Sequence, residues 1–159
     1  MRQQGFAQEP PDRAALRFQG LRFQPTIVGL MMLVAILTQS AAIFLLFSAL
    51  LWLNVLVPRA NPFENFYNRF VARSRGRPLL TEAPGPRRFA QGMAATFMLA
   101  VGLSLLRGWT VAAYVFEGFI VVAFAALLLG KFCLGAYVYH LLKGNVAFAN
   151  GTCPWSDSA

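Results

Sequence analysis

Residues 89–131 read FAQGMAATFMLAVGLSLLRGWTVAAYVFEGFIVVAFAALLLGK, and only three of these residues are charged. A helix rises about 1.5 Å per residue, so about 20 residues cross the roughly 30 Å hydrocarbon core of a bilayer. The segment is too long for one crossing. It breaks at Arg107-Gly108-Trp109-Thr110, where a charge, a glycine and an interfacial aromatic residue coincide. We predict one spanning helix over 89–106 and another over 111–131, with a helical extension to 142 that either projects into the cytoplasm or bends near Gly130.

The preceding apolar block, residues 27–57, fits either one long tilted helix or two short helices that meet at Thr38-Gln39-Ser40. The arginine distribution favours two. The N-terminal arm and the central loop are both rich in arginine, as cytoplasmic loops of membrane proteins are. Two crossings place both segments in the cytoplasm, whereas one crossing places them on opposite sides. We therefore predict spans over 26–38 and 41–57, with both termini cytoplasmic.

The composition agrees with a membrane protein. Hydrophobic residues make up 57% of the chain and charged residues 13%, whereas a soluble domain carries about 25% charged residues. The net charge of +8 would suggest nucleic acid in a soluble protein. Here the arginines flank apolar blocks, and no nucleic-acid-binding motif is recognised. We predict the lipid bilayer as a partner, and no nucleic acid.

The predicted fold is an all-α membrane protein with four transmembrane helices in two hairpins. Residues 1–25 form a cytoplasmic arm, 26–143 the membrane domain and 144–159 a cytoplasmic tail. A weak internal repeat supports the two hairpins. Arg22-Phe23 is followed by Met32-Leu33 and Leu37, and Arg88-Phe89 is followed at the same spacing by Met98-Leu99 and Leu103. Some transporters are built from such repeats.

Between the hairpins, Asn61-Pro62-Phe63-Glu64 has the features of a helix start: an N-cap, a proline and an early acidic residue. Aromatic residues then recur with the helical period. This pattern predicts a short amphipathic helix in the central loop, lying on the inner membrane surface as an anchor or as a docking site for a partner. The residues assigned to that surface are Phe63, Phe66, Tyr67, Phe70, Arg69 and Arg73.

Two ionisable residues fall within the last predicted span. Such groups are costly inside a membrane, so Glu117 and Lys131 are candidates for a function there. Glu117 follows the outer turn by about two helical turns and could pair with Arg107 or occupy a polar pocket. Lys131 could instead extend its ammonium group to the inner surface.

The cysteines and the histidine are the candidates for chemistry. On a continuous helix Cys133, Tyr137 and His140 share a face, but groups two turns apart are roughly 10 Å apart and do not hydrogen-bond directly. Two ligands do not complete a zinc site, so we predict no metal and no cofactor. The catalytic candidates are Cys133, His140 and, in the tail, Cys153. A reducing cytoplasm disfavours a permanent disulfide but permits a transient redox pair or a sulfur-carrying thiol.

Several local motifs resemble a bacterial family of small four-helix membrane proteins of unknown function, over roughly residues 20–143. These motifs are Pro58-Arg59, Asn61-Pro62-Phe63, Arg88-Phe89-Ala90-Gln91 and Phe132-Cys133-Leu134-Gly135. The resemblance implies the four-helix architecture, a bacterial inner membrane and a loose link to thiol or sulfur metabolism. Family members carry a second cysteine directly after the glycine, where this chain has Ala136. Cys133 would therefore need Cys153 or a partner's thiol to form a pair.

Three functions follow as hypotheses. Short helices and few intramembrane polar groups favour a non-enzymatic accessory subunit of a larger membrane complex, or a homo-oligomer. The alternatives are a thiol-dependent redox or sulfur-handling protein that uses Cys133, and a small transporter with Glu117 in its path.

Overall fold

The computed structural model describes residues 2–5 and 11–151, and this part of the chain is helical without strands. The prediction of an all-α protein is thus confirmed. The α-helices are α1 (Pro11–Thr38), α2 (Ala41–Leu56), α3 (Pro62–Phe66), α4 (Gly85–Leu106), α5 (Thr110–Leu128), α6 (Leu134–Leu142) and α7 (Val146–Gly151). Short 3₁₀ turns lie at Arg2–Gln4 and Pro58–Ala60, and a π-helical turn at Tyr67–Ala72 continues α3.

Three helical segments are long and apolar enough to cross a membrane: Gln19–Thr38, Gly85–Leu106 and Thr110–Leu128. The fourth apolar helix, α2, has 16 residues. At about 1.5 Å per residue it is roughly 24 Å long, somewhat less than the hydrocarbon thickness. Three helices are therefore compatible with a membrane protein, and α2 is shorter than each of these three.

Helix α4 lies at the centre of the bundle and runs antiparallel to α2. The hydroxyl of Ser48 donates a hydrogen bond to the carbonyl of Ala95 over 2.8 Å. Gly102 lies against Leu45, where an added Cβ would come within 2.8 Å of the leucine side chain. Such close approach between helices is what small residues permit in membrane bundles.

Helix α1 packs antiparallel to α5 in the same manner. Gly29 faces Phe124, and the side chain of Gln39, in the α1–α2 turn, donates to the Glu117 carboxylate over 3.2 Å. The apolar part of the interior lies between α1, α2, α4 and α5. It contains Val28, Met32, Ala35, Phe44, Leu51, Ala95, Met98, Val101, Ala113, Ile120 and Phe124.

The two arginines of the predicted repeat occupy equivalent places. Arg22 of α1 donates to the carbonyl of Leu128 at the end of α5, over 2.9 Å. Arg88 of α4 donates to the carbonyl of Val55 near the end of α2, over 3.2 Å. The last carbonyls of a helix have no partner within it, and a basic side chain satisfies them favourably. Each hairpin therefore caps the second helix of the other hairpin.

The central segment begins as its sequence predicts. The side chain of Asn61 accepts hydrogen bonds from the backbone N–H groups of Phe63 and Glu64, which makes it the N-cap of α3. The segment then differs from a helix lying free on the surface, because Tyr67 is buried against α1 at Gly20. Asn68 holds the following loop by donating to the carbonyl of Leu80 and accepting from its N–H.

The helical extension to residue 142 is interrupted near Gly130, because α5 ends at Leu128 and α6 begins at Leu134. Lys131 adopts a left-handed backbone conformation with φ of +53°. The N–H of Phe132 closes the end of the helix on the carbonyl of Ala126, as in a Schellman motif. A Cβ on Gly130 would lie 2.8 Å from that carbonyl oxygen, so glycine is required for this ending.

Candidate functional site: a cationic cavity beside Cys133

A cavity of about 110 Å³ opens where α1, α4 and the α5–α6 break meet. The basic side chains on its wall are Arg22, Arg87 and Lys131, and none of the described residues lining it is acidic. The amide residues Gln4, Gln24 and Gln91 and the thiol of Cys133 complete its polar part. The rest of the wall is apolar and includes Val28, Leu51, Ala94, Phe124, Leu127 and Leu134.

Cys133 lies at the end of the α5–α6 break, as the N-cap residue of α6 with an extended backbone. It is 5% exposed. Burial raises the pKa of the Cys133 thiol, because the thiolate loses its hydration. The backbone N–H of Ala136, the Arg87 guanidinium and the N–H of Gly135 act in the opposite direction. The thiol is thus held protonated by burial within surroundings that otherwise favour its anion.

Close helix packing fixes this position. Gly135 lies directly against Ala90 of α4, and a Cβ added to it would come within 2.6 Å of Ala90. Only glycine permits that approach, and it brings the first turn of α6 against α4 near Arg87. Ala136, in the same turn, is fully buried.

Arg87 is 6% exposed and belongs to a buried polar cluster. It contacts the Glu64 carboxylate at 3.7 Å. Burial raises the pKa of Glu64, whereas the charge of Arg87 lowers it. The side-chain oxygen of Gln24 accepts from Asn61, Arg87 and Gln91, at 3.4, 3.5 and 3.0 Å. These contacts join α1, α3 and α4 and orient the guanidinium.

The 3₁₀ turn Arg2–Gln4 covers the site. Gln3 is buried; its side-chain oxygen accepts a hydrogen bond from the N–H of Cys133 over 3.2 Å. The backbone carbonyl of Gln3 lies 2.9 Å from Nε2 of His140, and Gln4 lines the cavity. The N-terminal turn therefore lies over Cys133 and connects it to His140.

The predicted chemical candidates have different surroundings. Cys133 and His140 each contact Gln3, and the structure shows no direct hydrogen bond between them among the described residues. His140 also packs against Phe148, with ring centroids 4.8 Å apart. Tyr137 donates to Asn150 over 3.0 Å. Cys153 lies outside the described residues.

The two predicted intramembrane residues, Glu117 and Lys131, have different surroundings. Glu117 is buried and bound by Gln39, whereas Arg107 lies over the ring of Trp109. Lys131 is exposed at the rim of the cavity. Glu117 thus joins the hairpins near their turns, and Lys131 belongs to the candidate site.

The predicted surface residues separate into two groups. Phe66 and Phe70 are more than half exposed, and Arg69 and Arg73 are exposed beside them. Tyr67 is buried, and Phe63 is partly buried against the core. The exposed face is therefore narrower than the helical period suggests, because part of the aromatic stripe packs against the bundle.

Sequence reasoning missed the polar cluster. Arg87 was assigned to a basic loop, and Gln3, Gln24, Asn61, Glu64 and Gln91 were not assigned to a site. One local signal was present, because Arg87 and Gln91 are four residues apart and share a helix face. Their contact with Gln24 is between distant parts of the chain and has no local signature.

The motifs around Cys133 and Asn61 fall within a single matched family domain. A family model described as a domain of unknown function, DUF4395, matches residues 18–143. The chain belongs to this family. No curated protein and no solved structure matches the chain. The matched residues include most of α1, all of α2 to α6 and every lining residue of the cavity named above except Gln4, but the family's description assigns no activity.

Proposed function

We propose that this DUF4395 protein is a membrane-embedded thiol protein that exchanges disulfides or transfers sulfur through Cys133. The supporting observation is the position of the thiol at the N-terminus of α6, beside Arg87 and in the wall of a cavity. Helix N-termini and neighbouring cations favour thiolates. Burial opposes them here, and the N-terminal turn at Gln3 contributes to that burial.

The proposed step uses a disulfide of a partner as the co-reactant. The Cys133 thiolate attacks one sulfur, the partner's S–S bond breaks, and the second sulfur leaves as a thiolate and takes up a proton. A mixed disulfide remains. A second thiol, from Cys153 or from the partner, then attacks the Cys133 sulfur and releases the other product. The proton that leaves Cys133 passes to water once the N-terminal turn is displaced.

The proposed setting is a bacterial inner membrane crossed four times. In this topology α2 is the shortest span, both termini lie in the cytoplasm, and the turn at Arg107–Trp109 faces outward. The arginines of the central segment, at 59, 69, 73, 75 and 77, support that orientation through the positive-inside rule. Cys133 would then work at the cytoplasmic, reducing side.

A test uses oxidised glutathione as the disulfide probe and the full chain in lipid nanodiscs. We expect a glutathione adduct that peptide mass mapping assigns to Cys133, and the loss of that adduct after Cys133→Ser. Gln3→Ala should form the adduct about tenfold faster. It removes the hydrogen bond from the Cys133 backbone N–H to the Gln3 side chain, which holds the N-terminal turn over the thiol. Cys153→Ser serves as the matched control for the first attack. Absence of an adduct on Cys133 in both the native chain and Gln3→Ala would overturn the proposal.

A second candidate is an accessory subunit of a larger membrane complex. The observation that favours it is the exposed face formed by Phe66, Phe70, Arg69 and Arg73 beside the bundle. Aromatic residues and arginine are enriched in protein interfaces. Gentle-detergent purification from the native membrane should then yield a stoichiometric complex, which the double change Phe66→Ser and Phe70→Ser would dissociate. A lone protein would remove this candidate.

Transport receives less support from the geometry. Glu117 is bound by Gln39, and apolar Ile120, Phe124 and Met32 lie between it and the cavity. A polar solute would find few partners along that route. If Glu117→Gln left uptake into reconstituted vesicles unchanged, transport would lose the residue on which it depends.

A further inference from the structure

An open groove runs between α2 and α4, and the described residues that line it differ from those that line the cavity beside Cys133. Its volume is about 510 Å³, within the range of about 300–1,000 Å³ that is usual for small-molecule sites. The lining residues are Trp52 and Val55 of α2 and Gly85, Arg88, Phe89, Gly92, Met93, Thr96 and Phe97 of α4. Gly85 and Thr96 are exposed, so the groove opens to the surroundings of the bundle.

Glycine opens the floor of the groove. The nearest neighbour of a Cβ added to Gly92 would be Val55 at 3.8 Å, which is an ordinary contact distance, so space remains above this residue. The hydroxyl of Thr96 donates to the carbonyl of Gly92 over 2.8 Å. This hydroxyl is thus satisfied within α4, and the wall beyond Arg88 and Trp52 is otherwise apolar.

Arg88 lies near the end of the groove at which α4 begins. Its Nε and Nη2 atoms donate to the carbonyl of Val55. A guanidinium carries five N–H donors, so donors remain for a ligand. None of the described residues that line the groove is acidic, and Arg88 has no ion pair with the described part of the chain. Its charge is therefore available to an anionic group at this end.

The length of the groove matches one leaflet of a bilayer. From Arg88 to Phe97 the helix advances nine residues, or about 14 Å at about 1.5 Å per residue. Half of the roughly 30 Å hydrocarbon core is about 15 Å. Helix α4 is long and apolar enough to span a membrane. Trp52, which lines the groove, is of a residue type enriched at membrane interfaces. In a membrane the groove would therefore extend from an interface to about the middle of the bilayer.

We infer that the groove binds one anionic phospholipid of the cytoplasmic leaflet, with its phosphate at Arg88 and one acyl chain along Gly92 toward Phe97. Hydrogen bonds from arginine to phosphate are charge-assisted and strong. Basic sites beside transmembrane helices on the cytoplasmic side bind lipid headgroups. The match to a single leaflet favours a lipid over a second copy of the chain, whose spanning helices would cross both leaflets. The inference rests on the proposed membrane setting, but it does not require Cys133 to react.

The test is quenching of Trp52 fluorescence by brominated phospholipids, with the full chain in phosphatidylcholine bilayers. The chain has three tryptophans, so Trp109→Phe and Trp155→Phe leave Trp52 as the only fluorophore of this type. We expect brominated phosphatidylglycerol to bind beside Trp52 about fivefold more tightly than brominated phosphatidylcholine, since one basic residue near the surface contributes about 1 kcal/mol. Trp109, at the hairpin turn, should show no such preference when it is the only tryptophan.

Arg88→Gln should remove most of the preference, and glutamine keeps a donor for the carbonyl of Val55. The matched control is Arg59→Gln, because Arg59 is exposed, pairs with Glu82 and does not line the groove. Folding of the variants is checked by helical circular dichroism and gel filtration. Equal losses of the preference in the two arginine variants would overturn the inference.

A second variant tests the acyl-chain part of the groove and leaves Arg88 in place. Gly92→Leu should fill the groove and lower the preference at Trp52. Gly118→Leu is the control, because Gly118 is an exposed helical glycine outside the groove, with nothing within 4 Å of an added Cβ. A preference that Gly92→Leu leaves unchanged would contradict binding along α4.

The remaining outcomes separate this inference from the other proposals. Cys133→Ser should leave the lipid preference unchanged, whether or not the thiol reacts with glutathione. Equal binding of both lipids at Trp52 would overturn the inference alone. A dimer whose Trp52 neither lipid quenches would also overturn it, since a second copy would then occupy the groove. Absence of quenching at both Trp52 and Trp109 would overturn the membrane setting together with the inference.

Discussion

Cys133 combines two opposing influences on its reactivity. Its sulfur lies at a helix N-terminus near Arg87, which favours the thiolate, yet burial dominates and raises the thiol pKa. Reactive cysteines are generally accessible and electropositive, whereas buried ones are inert. Cys133 has electropositive surroundings but is not accessible to solvent. The N-terminal turn at Gln3 contributes to this burial, because its side chain is bound to the Cys133 backbone N–H.

We predict a characteristic pH dependence of Cys133 alkylation by iodoacetamide in a Cys153→Ser chain. Because the pKa is raised, the thiolate fraction at neutral pH is smaller than in a free thiol, by about tenfold for each unit of the shift. The rate should therefore stay below that of a peptide thiol from pH 7 to 9. It should continue to rise at higher pH, where the peptide has levelled off.

The same titration on Gln3→Ala provides the comparison. Loss of the covering side chain should admit water and move the profile toward that of the peptide. A native profile that equals or exceeds the peptide thiol at pH 7 would contradict the assigned effect of burial.

Among the elements, the central segment is more firmly attached than its composition suggests. The region from Arg73 to Pro86 is rich in arginine, proline and glycine, which is typical of a loose loop. In the structure Asn68 forms two hydrogen bonds to Leu80, and Leu80 packs with Tyr67 and Leu21. A turn distant in sequence is thereby fixed to α1.

We predict that Asn68→Ala increases the rate of tryptic cleavage after the exposed arginines 73 and 75 and after the partly exposed Arg77. Both bonds to Leu80 are lost, at about 1 kcal/mol each, so local opening of the loop should become about thirtyfold more frequent. The readout is the time course of the cleaved fragments in nanodiscs. Asn65→Ala, which removes one exposed bond to Arg59, is the matched control and should cleave at close to the native rate.

Sequence patterns located those elements whose signals are local. The N-cap at Asn61 and the turn after Arg107 were predicted because their residues bond to near neighbours. The α5–α6 break was placed only as a possible bend near Gly130, since the apolar pattern continues on both sides. The cluster around Arg87 depends on contacts across more than 60 residues, such as that with Gln24. Periodicity carries no information about such contacts.

At the scale of the whole molecule, the antiparallel pairs α2–α4 and α1–α5 place both hairpin turns at one end and the cavity at the other. Gln39 near one turn binds Glu117 of the other hairpin, and Arg22 and Arg88 bind helix ends at the opposite side. The proposed topology therefore has one face with the hairpin turns and one with the arginine-rich segments.

We predict that single cysteines on these faces are labelled from opposite sides of the membrane. In a chain lacking both native cysteines, a membrane-impermeant maleimide should label Gly108→Cys in intact spheroplasts. Arg75→Cys should be labelled only after permeabilisation, because the proposed topology puts its loop in the cytoplasm. Labelling of both positions in intact spheroplasts would contradict the four-span topology.

The binding of each hairpin's helix end by an arginine of the other hairpin has a consequence for biosynthesis. The carbonyl of Val55 receives its partner 33 residues later, and Arg22 must wait 106 residues for Leu128. The first hairpin therefore lacks both contacts when it is synthesised, whereas the second hairpin finds both of its partners already made. A chain released before residue 128 would lack the carbonyl that Arg22 binds at the end of α5. This contact therefore distinguishes an unfinished chain from a finished one.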